Sequence, residues 1–104
     1  MKAKKKKSNK IHKHHIVAKT DSRATEGRKV LSRVGIDVNS DHNLIPLKNT
    51  FHASLHTKVY HKTVSELMMR AYQKGKTTAQ KKNSVIGMLD TIRYVLLEAN
   101  KLCP

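Results

Sequence analysis

The chain has 104 residues, and 22 Lys plus Arg against 7 Asp plus Glu give a net charge of +15 with histidine neutral. That length supports one domain, and the charge selects polyanionic partners, nucleic acid first, while saying little about fold. The lone Cys103 excludes an internal disulfide and a thiolate metal cluster, no apolar run is long enough for membrane insertion, and the basic N-terminus lacks the apolar stretch of a signal peptide.

In chain order, residues 1–13 carry seven lysines (Lys2, Lys4, Lys5, Lys6, Lys7, Lys10 and Lys13) and no acid. Like charges without apolar neighbours predict a disordered basic arm that can still hold phosphates. Residues 14–104 are then the folded domain, small enough that its stability should be modest and a bound metal would help it. His15, Ile16 and Val17 read as a short strand. Ser22 or Thr25 caps a helix with Val30, Leu31 and Val34 inward, and Gly35 stops it. "DVNSDHN", 37–43, is turn-forming. "LIPL", 44–47, fits only an edge strand, because Pro46 lacks a donor.

After Pro46 the pattern becomes helical, with Asn49 or Thr50 available as one N-cap and Thr57 as another. Val59, Tyr60, Val64, Leu67, Met68 and Ala71 recur at the spacing of one face, so a helix runs to about Gln73 and ends at Gly75. A last helix over about 83–101, capped by Asn83 or Ser84, turns Val85, Ile86, Leu89, Ile92, Val95, Leu96 and Ala99 inward. The fold class is α+β, mostly α: a short two-stranded hairpin with additional helices.

Seven histidines stand out: His12, His14, His15, His42, His52, His56 and His61. His52 and His56 in "HASLH" lie four apart, which on a helix or its first turn stacks two imidazoles within reach of a single ion. His14 and His15 open the strand that would lie antiparallel to 44–47. A hairpin bringing 14–17 beside 44–47, with 52–56 folded across it, gathers His14, His15, Asn43, His52 and His56 into one cleft. His12 and His42 read as surface residues.

"HHIV", "GIDVNSDHNLIPL" and "HASLHTKVYH" resemble, in order, the HNH nucleases, the ββα-metal or His-Me finger superfamily, and in particular the AHH nuclease domains of bacterial polymorphic toxins. The resemblance spans 14 to about 67, and the spacing of Asn43 to His52 and His56 is similar to that of colicin-type DNases. Lys13 stands where the AHH name expects alanine, outside the ligand set. The long insertion between His15 and Asn43 is an AHH-like trait.

The resemblance implies phosphodiester hydrolysis with His15 as general base, the role for which an ordinary imidazole is suited at neutral pH. It implies one divalent ion (Zn, Ni, Mg or Mn) on His14, His52 and His56, with Asn43 orienting the base loop. His61 is a phosphate contact or a spare ligand. Lys4, Lys5, Lys6, Lys7, Lys10, Lys13, Lys48, Lys58 and Lys62 form the nucleic-acid-binding set. DNA is favoured over RNA, and an acidic cognate immunity protein is the implied partner of a secreted effector domain acting in the target-cell cytoplasm. The alternatives are a nuclease acting on RNA and a non-catalytic basic nucleic-acid-binding protein with a structural metal.

Overall fold

The structure, a computed structural model, describes residues 10–103; the lysines of the arm up to Lys7 lie outside the described residues. Strand β1 (Ile11–His15) pairs antiparallel with β2 (Leu44–Lys48) in a two-stranded sheet, with His14 opposite Ile45 and His15 opposite Leu44. The strand thus takes in residues 11–13, assigned from sequence to the disordered arm, and ends where the expected strand began. Pairing accounts for the shift: Asn49 N–H donates to the Lys10 carbonyl, extending the ladder past β2 (2.7 Å). Alternation along β2 sends Ile45 and Leu47 into the core and leaves Pro46 exposed. The same face of β1 carries His14, which is buried.

Between the strands, a 3₁₀ turn (Ser22–Ala24) leads into α1 (Thr25–Arg33). Gly35 ends α1 as expected. With φ at 73° it takes the left-handed conformation, so that Ile36 N–H reaches the Leu31 carbonyl (2.9 Å) and Gly35 N–H the Ser32 carbonyl (3.1 Å), a Schellman closure.

Beyond β2 lie a short α2 (Asn49–Ser54) and α3 (Lys58–Lys74), separated at residues 55–57, so the second of the two expected caps starts a helix of its own. Thr57 caps α3 by accepting from Tyr60 N–H (3.1 Å). The last helix, α4 (Thr78–Leu102), begins five residues before the expected 83. Thr77 and Gln80 form a reciprocal capping box there. Gly75 is extended, and its role is close approach: a Cβ would collide with the backbone of Gln80 and Lys81.

The core lies where α1, α3 and α4 meet the inner face of the hairpin, with Ile16, Leu31, Ile45, Leu47, Met68 and Leu89 fully buried. Two residues expected inside are outside: Val59 is 74% exposed and Val95 57%. On α3 the buried arc runs through His61, Val64, Ser65, Met68 and Ala71, so a polar pair occupies the face that a reading of apolar spacing gave partly to Val59. Ser65 Oγ accepts from Gly27 N–H (3.1 Å), and a Cβ at Gly27 would press on Val17 and Ser65. That tight α1–α3 contact sets the rotation of α3.

Candidate active site

The hairpin and α2 bring three imidazoles together. His14, on the inner face of β1, lies with Nδ1 3.1 Å from Nδ1 of His52 on α2. His56, just past the end of α2, places Nε2 3.3 Å from Nε2 of His52. One nitrogen from each of the three lies within 4.8 Å of the others. Two imidazole nitrogens bound at about 2.0–2.1 Å to one tetrahedral ion lie about 3.3–3.4 Å apart, so the cluster is of the right size for a shared divalent ion. His52 can give that ion only one of its nitrogens.

The electrostatics suit ligands. Burial, reinforced by His52, His56, His15 and His61, pushes the His14 pKa from 6.5 down to about 3, so the ring is neutral with a lone pair to offer. Burial and the neighbouring imidazoles also lower His52. The donor set, three imidazoles without thiolate, fits a divalent transition metal.

The cluster borders a cleft of about 360 Å³ lined by His14, His15, His52 and His56 together with Lys13, Ala18, Lys19, Thr20 and Asp21. His15 is not among the clustered nitrogens. Its Nε2 lies 2.8 Å from Asn39 Oδ1. Asn39 in turn is set by its own N–H, which donates to Asp37 Oδ1 (2.7 Å).

Asn43 is fully buried and clamps the segment after β1. Its Oδ1 accepts from Val17 N–H (2.9 Å), its Nδ2 donates to the carbonyls of Val17 (3.0 Å) and Val38 (2.9 Å), and its own carbonyl accepts from Ile16 N–H (2.8 Å). It touches the backbone beside His15, whereas the His15 ring itself is held by Asn39.

His61 is buried on α3 with its ring 5.8 Å from that of His56, and Nε2 lies 3.5 Å from Asp21 Oδ2. Among the described residues neither ring nitrogen has a hydrogen-bond partner, and burial lowers its pKa while Asp21 opposes the shift. Hydrogen bonds from Arg23 hold the Asp21 carboxyl below the usual range.

The lysines separate. Lys13 is on the cleft wall; Lys10 is exposed just before β1. Lys58 and Lys62 line a neighbouring groove between α1 and α3 with Arg23 and Glu26. Lys48 instead donates through Nζ to the Cys103 carbonyl (2.6 Å), away from the cleft.

Sequence reasoning missed four residues at this site. His12, read as a surface residue, stacks flat on His52 with centroids 5.5 Å apart. Tyr60, read only as a core position, has its hydroxyl 2.8 Å from His14 Nε2 and 2.8 Å from the Ile16 carbonyl. Asn39 lay in the stretch read as turn-forming, and Asp21 fell between the expected strand and the expected helix. Strand alternation could have linked His12 to His14; nothing in the local pattern marks the other three.

Over residues 1–96 the chain matches the family described as a nuclease family of the HNH/ENDO VII superfamily with conserved AHH. The match extends well past the motif region into α4. No curated protein and no solved structure matches the chain. A family match over nine-tenths of the chain, on a fold that carries the paired histidines on a hairpin beside His52 on the following helix and His56 just past its end, places the chain in the AHH nucleases of the HNH/ENDO VII superfamily.

Proposed function

We propose that the protein is a metal-dependent endonuclease that hydrolyses phosphodiester bonds of DNA in preference to RNA, with His15 as general base and one divalent ion on His14, His52 and His56. The observation that carries this reading is the convergence of three imidazoles in a cleft whose wall also contains His15. A divalent ion held there supplies Lewis acidity at the scissile phosphate and the departing 3′ oxygen. Three protein ligands suit a catalytic site, which keeps a coordination position open, better than a structural one, which closes it with a fourth. An all-imidazole set favours Zn or Ni over Mg.

The remaining roles belong to the chain's own groups. Asn39 Oδ1 can only accept, so the Nε2 of His15 carries the proton of that bond and Nδ1 is the nitrogen left to take a proton from water. Asn43 holds the backbone of Ile16 and Val17, directly after His15. Lys13 and Lys19 on the cleft wall, with Arg23, Lys58 and Lys62 beyond, attract the phosphate backbone, a contribution largely blind to base sequence. His61, enclosed by protein, suits a structural place behind His56 better than a phosphate contact.

A weakly selective nuclease must be silenced in the cell that makes it. The reading therefore includes action as a secreted effector in a target-cell cytoplasm and an acidic immunity protein drawn to the +15 chain by electrostatic steering. Among the described residues no helix is long and apolar enough to cross a membrane.

The test is incubation of the purified chain with plasmid DNA and with RNA, across Mg, Mn, Ni and Zn, with and without EDTA. Expected is cleavage that EDTA abolishes and that His15→Ala lowers by at least about 10²-fold. Binding without cleavage under every metal condition would leave the non-catalytic reading standing; undiminished cleavage by a folded His15→Ala variant would remove His15 as the base.

A further inference from the structure

Tyr60 joins three parts of the molecule. It sits in the first turn of α3, where its N–H is pinned to Thr57 Oγ1 (3.1 Å). Its ring lies against the core and lines, with Val64, Leu67, Ile92 and Leu96, an apolar groove at the α3–α4 seam. Its hydroxyl reaches back under the hairpin, 2.8 Å from the Ile16 carbonyl and 2.8 Å from His14 Nε2.

A phenol has one hydrogen to donate and lone pairs to accept. The Ile16 carbonyl can only accept, so the hydrogen of Tyr60 is committed there. The 2.8 Å contact with His14 then runs the other way, from Nε2–H to the phenolic oxygen. A neutral imidazole carries one N–H, so Nδ1 of His14 bears the lone pair, and Nδ1 is the atom that faces His52.

We infer that Tyr60 is a positioning residue of the metal centre: its hydroxyl, committed to the Ile16 carbonyl, holds the proton of His14 on Nε2 and thereby presents Nδ1 as the ligand atom. The inference rests on the reading of His14, His52 and His56 as a metal centre. It adds a residue from outside the paired-histidine motif that decides which nitrogen binds. The carbonyl it uses is itself fixed, because Ile16 is fully buried and its N–H donates to the Asn43 carbonyl (2.8 Å). An unbroken line of hydrogen bonds thus runs from Asn43 through Ile16 and Tyr60 to His14. Partners that hold the outer nitrogen of a metal-binding histidine fix its ring orientation and raise its basicity, and their loss costs about 10–100-fold in affinity or activity.

Tyr60→Phe keeps the ring and removes only the hydroxyl. Two measurements on the full chain test the inference. In chelator-treated protein, nitrogen-15 NMR of the imidazoles should show His14 protonated at Nε2, its proton protected from exchange, and Tyr60→Phe should lose that protection. Zn²⁺ affinity measured by competition should fall about 10–100-fold in Tyr60→Phe. Leu67→Ala, which loosens the same seam without touching the hydroxyl, should keep Zn²⁺ affinity within about threefold of wild type, since it leaves the His14 contact intact.

Equal Zn²⁺ affinity in wild type and Tyr60→Phe would overturn the inference, as would an equal loss in Leu67→Ala, which would mark the effect as one of packing. A proton on Nδ1 in the metal-free wild type would overturn it whatever the metal does. A wild type with Nε2–H in place that binds no Zn²⁺ would overturn the metal-centre reading and with it the ligand role given to Nδ1, so the two failures are told apart.

Discussion

His14 is a polar residue on the core-facing side of a strand, and its burial has a thermodynamic consequence. Its pKa lies near 3 in the folded chain against 6.5 for the ordinary imidazole, so between those values the unfolded chain binds a proton that the folded chain refuses. Stability therefore rises with pH across that window and falls as the pH is lowered through it. His52 and His61 are shifted the same way, by burial first. Asp21, held low by Arg23, adds its loss only below the usual carboxylate range. In chelator, the melting temperature should be flat above about pH 7 and drop as pH falls from 6.5 toward 4, by an amount worth a few kcal/mol. His14→Gln should flatten part of the slope. A melting temperature constant from pH 7 to 4 would mean that His14 is not buried as a neutral ring.

Among the elements, α4 ties down the hairpin through side-chain hydrogen bonds, although the motif that suggested the family ends before it. Arg93 Nη2 donates to the carbonyls of Asp41 (2.6 Å), His42 (3.2 Å) and Leu44 (2.9 Å), the backbone on either side of Asn43. Further along α4, Asn100 Oδ1 accepts from Lys48 N–H (2.9 Å) at the end of β2. One helix thus holds both ends of the strand that pairs with the histidine-bearing β1. Arg93→Met keeps most of the aliphatic stem while removing the donors, and should destabilise the protein by about 2 kcal/mol, as expected for hydrogen bonds from a charged group. Urea unfolding reads this directly. A loss under about 0.5 kcal/mol would show that the three carbonyls find water equally well.

For the whole molecule, charge governs how substrate arrives. Lys13 and Lys19 face the cleft and Arg23, Lys58 and Lys62 flank the next groove, while residues 1–9 add Lys2, Lys4, Lys5, Lys6 and Lys7. Deletion of 1–9 is the informative truncation. Cutting further would remove Ile11 from β1 and His12 from its stack on His52. The shortened chain should bind DNA more weakly, with a slope of log affinity against log salt smaller by up to about 4.5, if each of the five lysines releases about 0.9 counterion. Turnover at saturating substrate should not change. An unchanged slope would mean that these lysines stay off the nucleic acid.

The amino-acid pattern alone determined the elements whose signals are local. Gly35 ends α1 because only a residue free to adopt positive φ closes that Schellman turn, Thr57 caps α3 through its own hydroxyl, and Pro46 keeps its place on an exposed edge. The grouping of His14, His52 and His56 was legible too, because alternation on a strand and a four-residue step confine where those rings can point. What only the tertiary structure decided is the set of partners that complete each ring: Asn39 for His15, Tyr60 and the Ile16 carbonyl for His14, Asp21 beside His61. The rotation of α3, which buries His61 and Ser65 and exposes Val59, was likewise beyond the pattern, since apolar spacing gives no weight to a serine that packs against Gly27. These contacts join residues 24 to 46 positions apart, and no periodicity within a helix or strand encodes a hydrogen bond between two elements; it forms only when packing brings a donor and an acceptor to the same buried point.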